Sequence, residues 1–247
     1  MNVKQYLDST YLKTASQAGL SEAENTIVVK NAIAEAIHEG FKLIMIRPEY
    51  VALAKKMIIE ANSVLLVGTV IDFPEGKSSL EDKIKEANEA IANGADDLDF
   101  VCNYEAFKNG DLDLVKKEIL IGTQIGLAND KTVKWIIEVA ALTDKEIIQL
   151  SSLIKHVVVS SFKEDDFESV FVKSSTGFYK TDDGAPNGAT VPSIIMMLEN
   201  ASPLSIKAAG GVRSFEEAAE MIRLGVKRIG ASAAKAIANG EISPNQY

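Results

Sequence analysis

The feature that most constrains this chain is an alternation of two periodicities. Short β-rich apolar runs recur along it, and a helical pattern follows each one. The runs are KLIMI (42–46), VLLVGTVI (64–71), DLDFV (97–101), VKWIIEV (133–139), FVKSST (171–176), LSIKAA (204–209) and RIGAS (228–232). An eighth strand is expected near the N-terminus, around residues 6–12. Between the runs, apolar residues return at helical spacing. SSLEDKIKEANEAIAN (78–93) opens on a serine cap and closes at Asn93-Gly94, and FEEAAEMIRL (215–224) stops at Gly225.

Strands that alternate with helices pair in parallel through right-handed crossovers. Eight such units within 247 residues match the size of a (β/α)8, or TIM, barrel, which takes about 250 residues. The expected fold is therefore α/β, with one barrel domain spanning 1–247. An open doubly wound sheet is the competing architecture. It usually announces itself with a phosphate loop after its first strand, and this sequence has none there. No Pro/Gly/Ser-rich linker divides the chain. HVVVSSF (156–162) fits either a strand or the tail of a helix, and the barrel count works better if it is helical or irregular.

Composition narrows the function classes. Lys and Arg number 26 against 35 Asp and Glu, a net charge of −9. Nucleic-acid binding runs on clustered cations, so it is not expected. The single cysteine, Cys102, allows no internal disulfide. His38 and His156 lie far apart with no Cys or His at ligand spacing, so no metal site is expected. MNVKQYLDST lacks the apolar core of a signal peptide, and no apolar run reaches membrane-spanning length. A soluble cytoplasmic protein without membrane contact is the expectation.

The informative anomaly is which strands carry charge. Asp99 in DLDFV, Glu138 in WIIEVAA, Lys173 in FVKSST and Lys207 in LSIKAAG fall in or near the C-terminal halves of apolar runs. In a barrel that half faces the catalytic mouth. A buried charge must be paired or shift toward neutrality, and four charges on four strands could satisfy one another. A single strand lysine more often points outward with its ammonium in water, which is the reading for Lys42 and Lys134. Lys173 and Lys207 differ because each stands a few residues ahead of a small-residue turn, SSTG and AAGG. Asp99 read alone fits a strand-end cap, and Glu138 a structural ion-pair partner.

The functional alternative has specific chemistry. A lysine attacks a carbonyl only when unprotonated, and burial and a neighbouring cation both lower its pKa. Lys173 beside Lys207 would meet both conditions. An aspartate close by could shuttle protons while an imine forms. The protonated imine then acts as an electron sink.

Two small-residue loops add a second theme. AAGGVRS (208–214) and RIGASA (228–233) each end a strand and enter a helix. Barrels often bind phosphate in the loops after strands 7 and 8, on backbone N–H groups and a helix N-terminus. Gly210 and Gly211 would let an anion approach the backbone, with Gly230 and Ser232 as a second wall. Thr176 and Gly177 of SSTGF would extend that wall. Ordinary turn chemistry is the alternative for a lone Gly-Gly.

With these motifs in place, the chain resembles the 2-deoxyribose-5-phosphate aldolases, class I aldolases on a (β/α)8 barrel. FVKSSTGF resembles their Schiff-base motif, IKAAGGVRS their second-lysine motif, and GADDLDFVCNYEAFKNGD (94–111) the segment with their proton-relay acid. LDSTYLK (7–13) resembles the first-strand segment, which brings in Asp8 and Thr10 as substrate-binding candidates. RPEYVALAKK, TVIDFPEG, WIIEVAALTDKEI and RIGASA extend the similarity over almost the whole chain. The resemblance implies reversible cleavage of 2-deoxyribose 5-phosphate to acetaldehyde and glyceraldehyde 3-phosphate, without cofactor or metal. Lys173 would form the imine, Lys207 would depress its pKa, and Asp99 would relay protons. Tyr247 resembles a C-terminal tyrosine that some members fold over the site as a proton donor; a disordered tail end is the alternative. Barrels of this class often pair, so a homodimer is the expected assembly.

The sequence also departs from the family pattern. DST (8–10) stands for DHT, DFP (72–74) for GFP or NFP, and Met45 for a frequent cysteine. Phe178 follows STG where some members carry a phosphate-holding lysine, and Ala233 stands for a second serine. The last two thin the phosphate site. They keep open another Schiff-base aldolase with a non-phosphorylated aldehyde substrate, or a non-catalytic phosphosugar-binding barrel. A phosphosugar isomerase would need neither strand lysine.

Overall fold

The computed structural model describes residues 2–182 and 184–241. Eight strands, β1 (Leu7–Tyr11), β2 (Leu43–Ile46), β3 (Leu66–Ile71), β4 (Asp97–Val101), β5 (Thr132–Ile136), β6 (Val170–Lys173), β7 (Ser205–Ala209) and β8 (Arg228–Ala231), close into a barrel in chain order. Every neighbouring pair is parallel, including the β1–β8 seam. This is the (β/α)8 barrel the alternation predicts. Parallel strands covered on both faces read as continuous apolar runs, and all four residues of LIMI in β2 are buried.

The outer layer follows from local capping and spacing. Ser214 and Glu217 form a reciprocal capping box that opens the helix Phe215–Leu224, and Gly225 ends it in the left-handed conformation. Thr143 and Glu146 do the same for the helix Asp144–Ser161. That helix absorbs the ambiguous segment 156–162. Leu150, Ile154, Val157 and Val158 recur at helical spacing and are all buried. The i, i+4, i+7, i+8 pattern outweighs the local β preference of three consecutive valines. The helix Leu112–Ala128 lies so close to β5 that a Cβ at Gly126 would sit 2.1 Å from the Val133 side chain. Against this helix Trp135 stacks on Phe100 at 4.9 Å and donates its indole N–H to Thr123. Among the described residues no helix is long and apolar enough to cross a membrane.

Side chains of a strand alternate between the helix layer and the barrel interior. The interior is divided. Beside β1, β2 and β3 it holds an apolar cluster of Leu12, Leu43, Met45 and Val70, with Leu66, Phe73 and Phe178 packed on it. Beside β4 through β8 it holds Asp97, Asp99, Lys134, Lys173, Lys207 and Arg228, joined by Asp8 from β1, all buried.

Candidate active site

Strand register gathers the charges. Lys173 and Lys207 are direct partners across β6 and β7, so they share the inward face. Asp99 and Lys134 are direct partners across β4 and β5, and Lys207 pairs with Arg228 across β7 and β8. The Asp99 carboxylate sits at the centre. One oxygen accepts from Lys173 Nζ at 2.8 Å and from Lys207 Nζ at 2.9 Å, and the other accepts from Lys134 Nζ at 2.8 Å. Lys207 also pairs with Asp8 at 2.7 Å, and Arg228 reaches Asp8 at 2.6 Å. Lys134 closes the ring on Asp97 at 2.6 Å.

This arrangement brings together the three residues to which the sequence gives chemistry: Lys173, Lys207 and Asp99. It also corrects the expectation for Lys134. That lysine does not point outward. It is fully buried and spans two carboxylates, because Asp97 and Asp99 are two residues apart on β4 and face the same way. Asp97 and Arg228 are the members that sequence reasoning missed. Their signal was the period-2 spacing in DLDFV and the lone cation in RIGAS.

The electrostatics follow from burial and count. Three carboxylates (Asp8, Asp97, Asp99) meet four cations (Lys134, Lys173, Lys207, Arg228) in these contacts. The cluster is electrically balanced when one cation gives up its proton. Lys173 is the one placed to do so. Burial, then the positive charges of Lys207 and Lys134, outweigh its contact with Asp99 and bring its amine down to about 8. Burial would raise the Asp99 carboxyl, yet Lys134, Lys173 and Lys207 together hold it well below the usual carboxylate range. Burial opposes the charge on Lys134 as well, but Asp97 and Asp99 keep its pKa above the ordinary value.

Above the cluster opens a cavity of about 560 Å³, with Lys173 in its lining. Thr10, Thr176, Gly177, Gly210, Gly211 and Ser232 line it. Gly210 and Gly211 both adopt positive φ, 72° and 82°, a conformation open to glycine at little cost. Arg213 also lines the cavity and places a cation at the end formed by the glycine loops. Nothing in GGVRS marks Arg213 as a site residue, because the direction of a loop side chain leaves no periodic trace.

Three assignments change. Asp8 is not a cavity residue; it lies fully buried below, clamped by Lys207 and Arg228. Thr176 reaches the wall, but its hydroxyl donates to the Glu138 carboxyl and accepts from the Phe178 N–H. Glu138 lies beyond the end of β5 with φ 55°, and it partners hydroxyls and an amide rather than a cation. Phe178, which stands where a phosphate-holding lysine was sought, packs edge-to-face on Phe73 at 5.1 Å. Tyr247 lies outside the described residues.

Comparison with known proteins points the same way. The family model described as DeoC/LacD family aldolase matches residues 5–243. A deoxyribose-phosphate aldolase of Staphylococcus saprophyticus is 38% identical over 248 residues, covering 100% of both chains. Among solved structures, the aldolase QR15 is 30% identical with a TM-score of 0.78, over 97% of this chain and 95% of its own. The deoxyribose phosphate aldolase from Aeropyrum pernix, described as tetrameric, has a TM-score of 0.75 over 96% of this chain and 89% of its own. Its identity of 24% speaks for the fold alone.

Proposed function

The chain belongs to the DeoC/LacD aldolase family, and on that premise we propose a reaction and the residues that carry it. The reaction is reversible cleavage of 2-deoxy-D-ribose 5-phosphate to acetaldehyde and D-glyceraldehyde 3-phosphate through a lysine imine. The observation that carries this reading is one buried amine, Lys173, at the cavity floor on a carboxylate it shares with Lys207.

In its neutral form the Lys173 amine attacks the C1 aldehyde. The carbinolamine loses water to give a protonated imine. Asp99, in contact with that nitrogen and with Lys207, accepts and returns the protons of these steps. The electron pair of the C2–C3 bond then moves into the imine as the C3 hydroxyl gives up its proton. This releases glyceraldehyde 3-phosphate and leaves an enamine. Protonation at C2 and hydrolysis release acetaldehyde and restore Lys173. The phosphate is held by the backbone N–H groups around Gly210, Gly211 and Ser232, with Gly177 as an open wall and Arg213 as the counter-charge.

We treat residues 1–247 as one catalytic unit working in the cytoplasm on diffusible phosphosugars and aldehydes. The assembly proposed is a homodimer; Ile59 and Val64, 71% and 95% exposed, give it apolar surface to cover. Tyr247 is retained as a candidate proton donor on the family resemblance.

Borohydride reduction with acetaldehyde, followed by peptide mass mapping, tests the central step. An ethyl adduct is expected on Lys173 and is expected to vanish in Lys173→Leu. An adduct on another lysine, or none from folded protein, rejects the imine assignment.

A further inference from the structure

The SSTG turn after Lys173 is wired to its surroundings through hydroxyls, and the wiring asks for one hydrogen too many. Ser175 Oγ lies 2.9 Å from Glu138 Oε1 and 2.7 Å from the carbonyl oxygen of Asn187. Both are acceptors if the carboxyl is ionised, and a serine hydroxyl has a single hydrogen to give. The Ser175 oxygen also accepts from the Gly177 N–H at 2.9 Å. The other carboxyl oxygen, Oε2, is already served by the Thr176 N–H at 3.1 Å and by the Thr176 hydroxyl. A proton on Oε1 resolves the count. Glu138 then donates to Ser175, Ser175 donates to Asn187, and every donor in this network has one acceptor.

We propose that Glu138 works as a protonated carboxylic acid, a positioning residue that latches the Asn187 side of the cavity to the SSTG turn and keeps a second anion away from Lys173. Its surroundings fit that state. Glu138 is 1% exposed, and burial pushes its pKa up against the opposing hydrogen bonds from Thr176 and Ser175 and the charge of Lys173. Among the described residues, the titratable groups whose charge couples to it are Lys173 on β6 and Tyr104 at the start of the short helix Tyr104–Lys108. The Tyr104 phenol, pushed up to about 12 by burial first and by Glu138 next, stays neutral. An ionised Glu138 would present Lys173 with a carboxylate in addition to Asp99 and so hold the proton on the amine.

The latch matters because the wall it holds is thin. Asn187 donates its side-chain N–H to the Gly177 carbonyl at 3.3 Å, and the Ala189 N–H donates to the Gly210 carbonyl at 3.0 Å. Gly188 presses against Gly210 so closely that a Cβ there would lie 2.5 Å from its backbone. The segment thus ties the SSTG turn to the AAGG loop, both of which line the cavity. If Glu138 ionises, the Ser175 hydrogen turns to the carboxylate and the Asn187 carbonyl loses its donor.

Two substitutions and one spectrum decide the matter. Glu138→Gln reproduces the protonated pattern, with the amide N–H toward Ser175 and the amide oxygen toward Thr176, at the same backbone conformation. Glu138→Ala removes both. An infrared difference spectrum, wild type minus Glu138→Gln at neutral pH, is expected to show a protonated-carboxyl C=O band. This readout needs no substrate, so it fails or succeeds independently of the aldolase reading. The kinetic arm rests on that reading. KM for deoxyribose 5-phosphate in Glu138→Gln should stay within about threefold of wild type, whereas Glu138→Ala, with its donors left bare, should raise it about tenfold or more. As pH rises from mildly acid to mildly alkaline, the wild-type KM should climb relative to that of the Gln variant, which keeps Lys173 but has no carboxyl at position 138 to ionise. Absence of the carboxyl band, a Gln variant as impaired as the Ala variant, or superimposable KM profiles would each overturn the proposal. If Glu138→Ala does not fold, the spectrum and the Gln profile still decide it.

Discussion

From β1 through β3 the barrel interior is filled by Leu12, Leu43, Met45 and Val70; from β4 through β8 it is filled by two aspartates, three lysines and an arginine. The apolar side is stabilised by each side chain nearly independently, because hydrophobic burial is non-directional. The charged side is stable only as a set. Removing ions from water is costly, and the attraction that offsets it needs every partner in place. The apolar side therefore tolerates change by degrees, whereas the charged side responds to a single loss with uncompensated charge. The charged side is also where the reactive amine sits, so stability and chemistry are coupled there and separable opposite.

That contrast can be broken most forcefully at Lys207. Lys207→Leu leaves Asp8 and Asp99 each short of a cation, and breaking a buried pair costs about 3–5 kcal/mol. The same change should move the acid limb of kcat/KM upward. Lys207 is one of the cations that bring the Lys173 amine to about 8, so its loss raises that pKa and shrinks the neutral fraction at lower pH. Denaturant titration and a pH–rate profile read the two effects; an unmoved limb would remove Lys207 from control of the amine. On the apolar side, Val70→Ala should cost about 2 kcal/mol of stability and leave the pH limb in place. A shifted limb there would show that the two sides are not separable. The smallest effect is expected at Gly68, where an added Cβ would meet the Met45 terminal methyl at 2.5 Å. That methyl is the end of a flexible side chain and the Leu43 methyls at 3.0 and 3.1 Å need give only slightly, so Gly68→Ala should cost about 1 kcal/mol by denaturant titration.

The same division explains what was legible in the sequence. The barrel could be read because strand and helix periods differ and each unit carries its own pattern. Lys173 and Lys207 could be read because each precedes a small-residue turn. Lys134 was misread because TVKWI by itself does not say which face is inward. Register decides that, and Lys134 shares its face with Asp99, its direct partner on β4. Glu138 was placed in a strand because WIIEV is an unbroken apolar-looking run. The strand ends at Ile136, and a left-handed glutamate two residues on has no compositional signature. The cavity wall around Asn187 depends on loop-to-loop contacts that no periodicity encodes.

The link between Arg228 and Asp8 spans 220 positions of sequence and crosses the β1–β8 seam. It can form only after the first and last strands have met, and contacts this distant in sequence are the slow ones in folding. Until then the barrel is open, and the burial that does most to lower the Lys173 amine is incomplete. Reductive trapping at that lysine is therefore a clock as well as an assay: followed during refolding, it would time the moment at which the ring becomes whole.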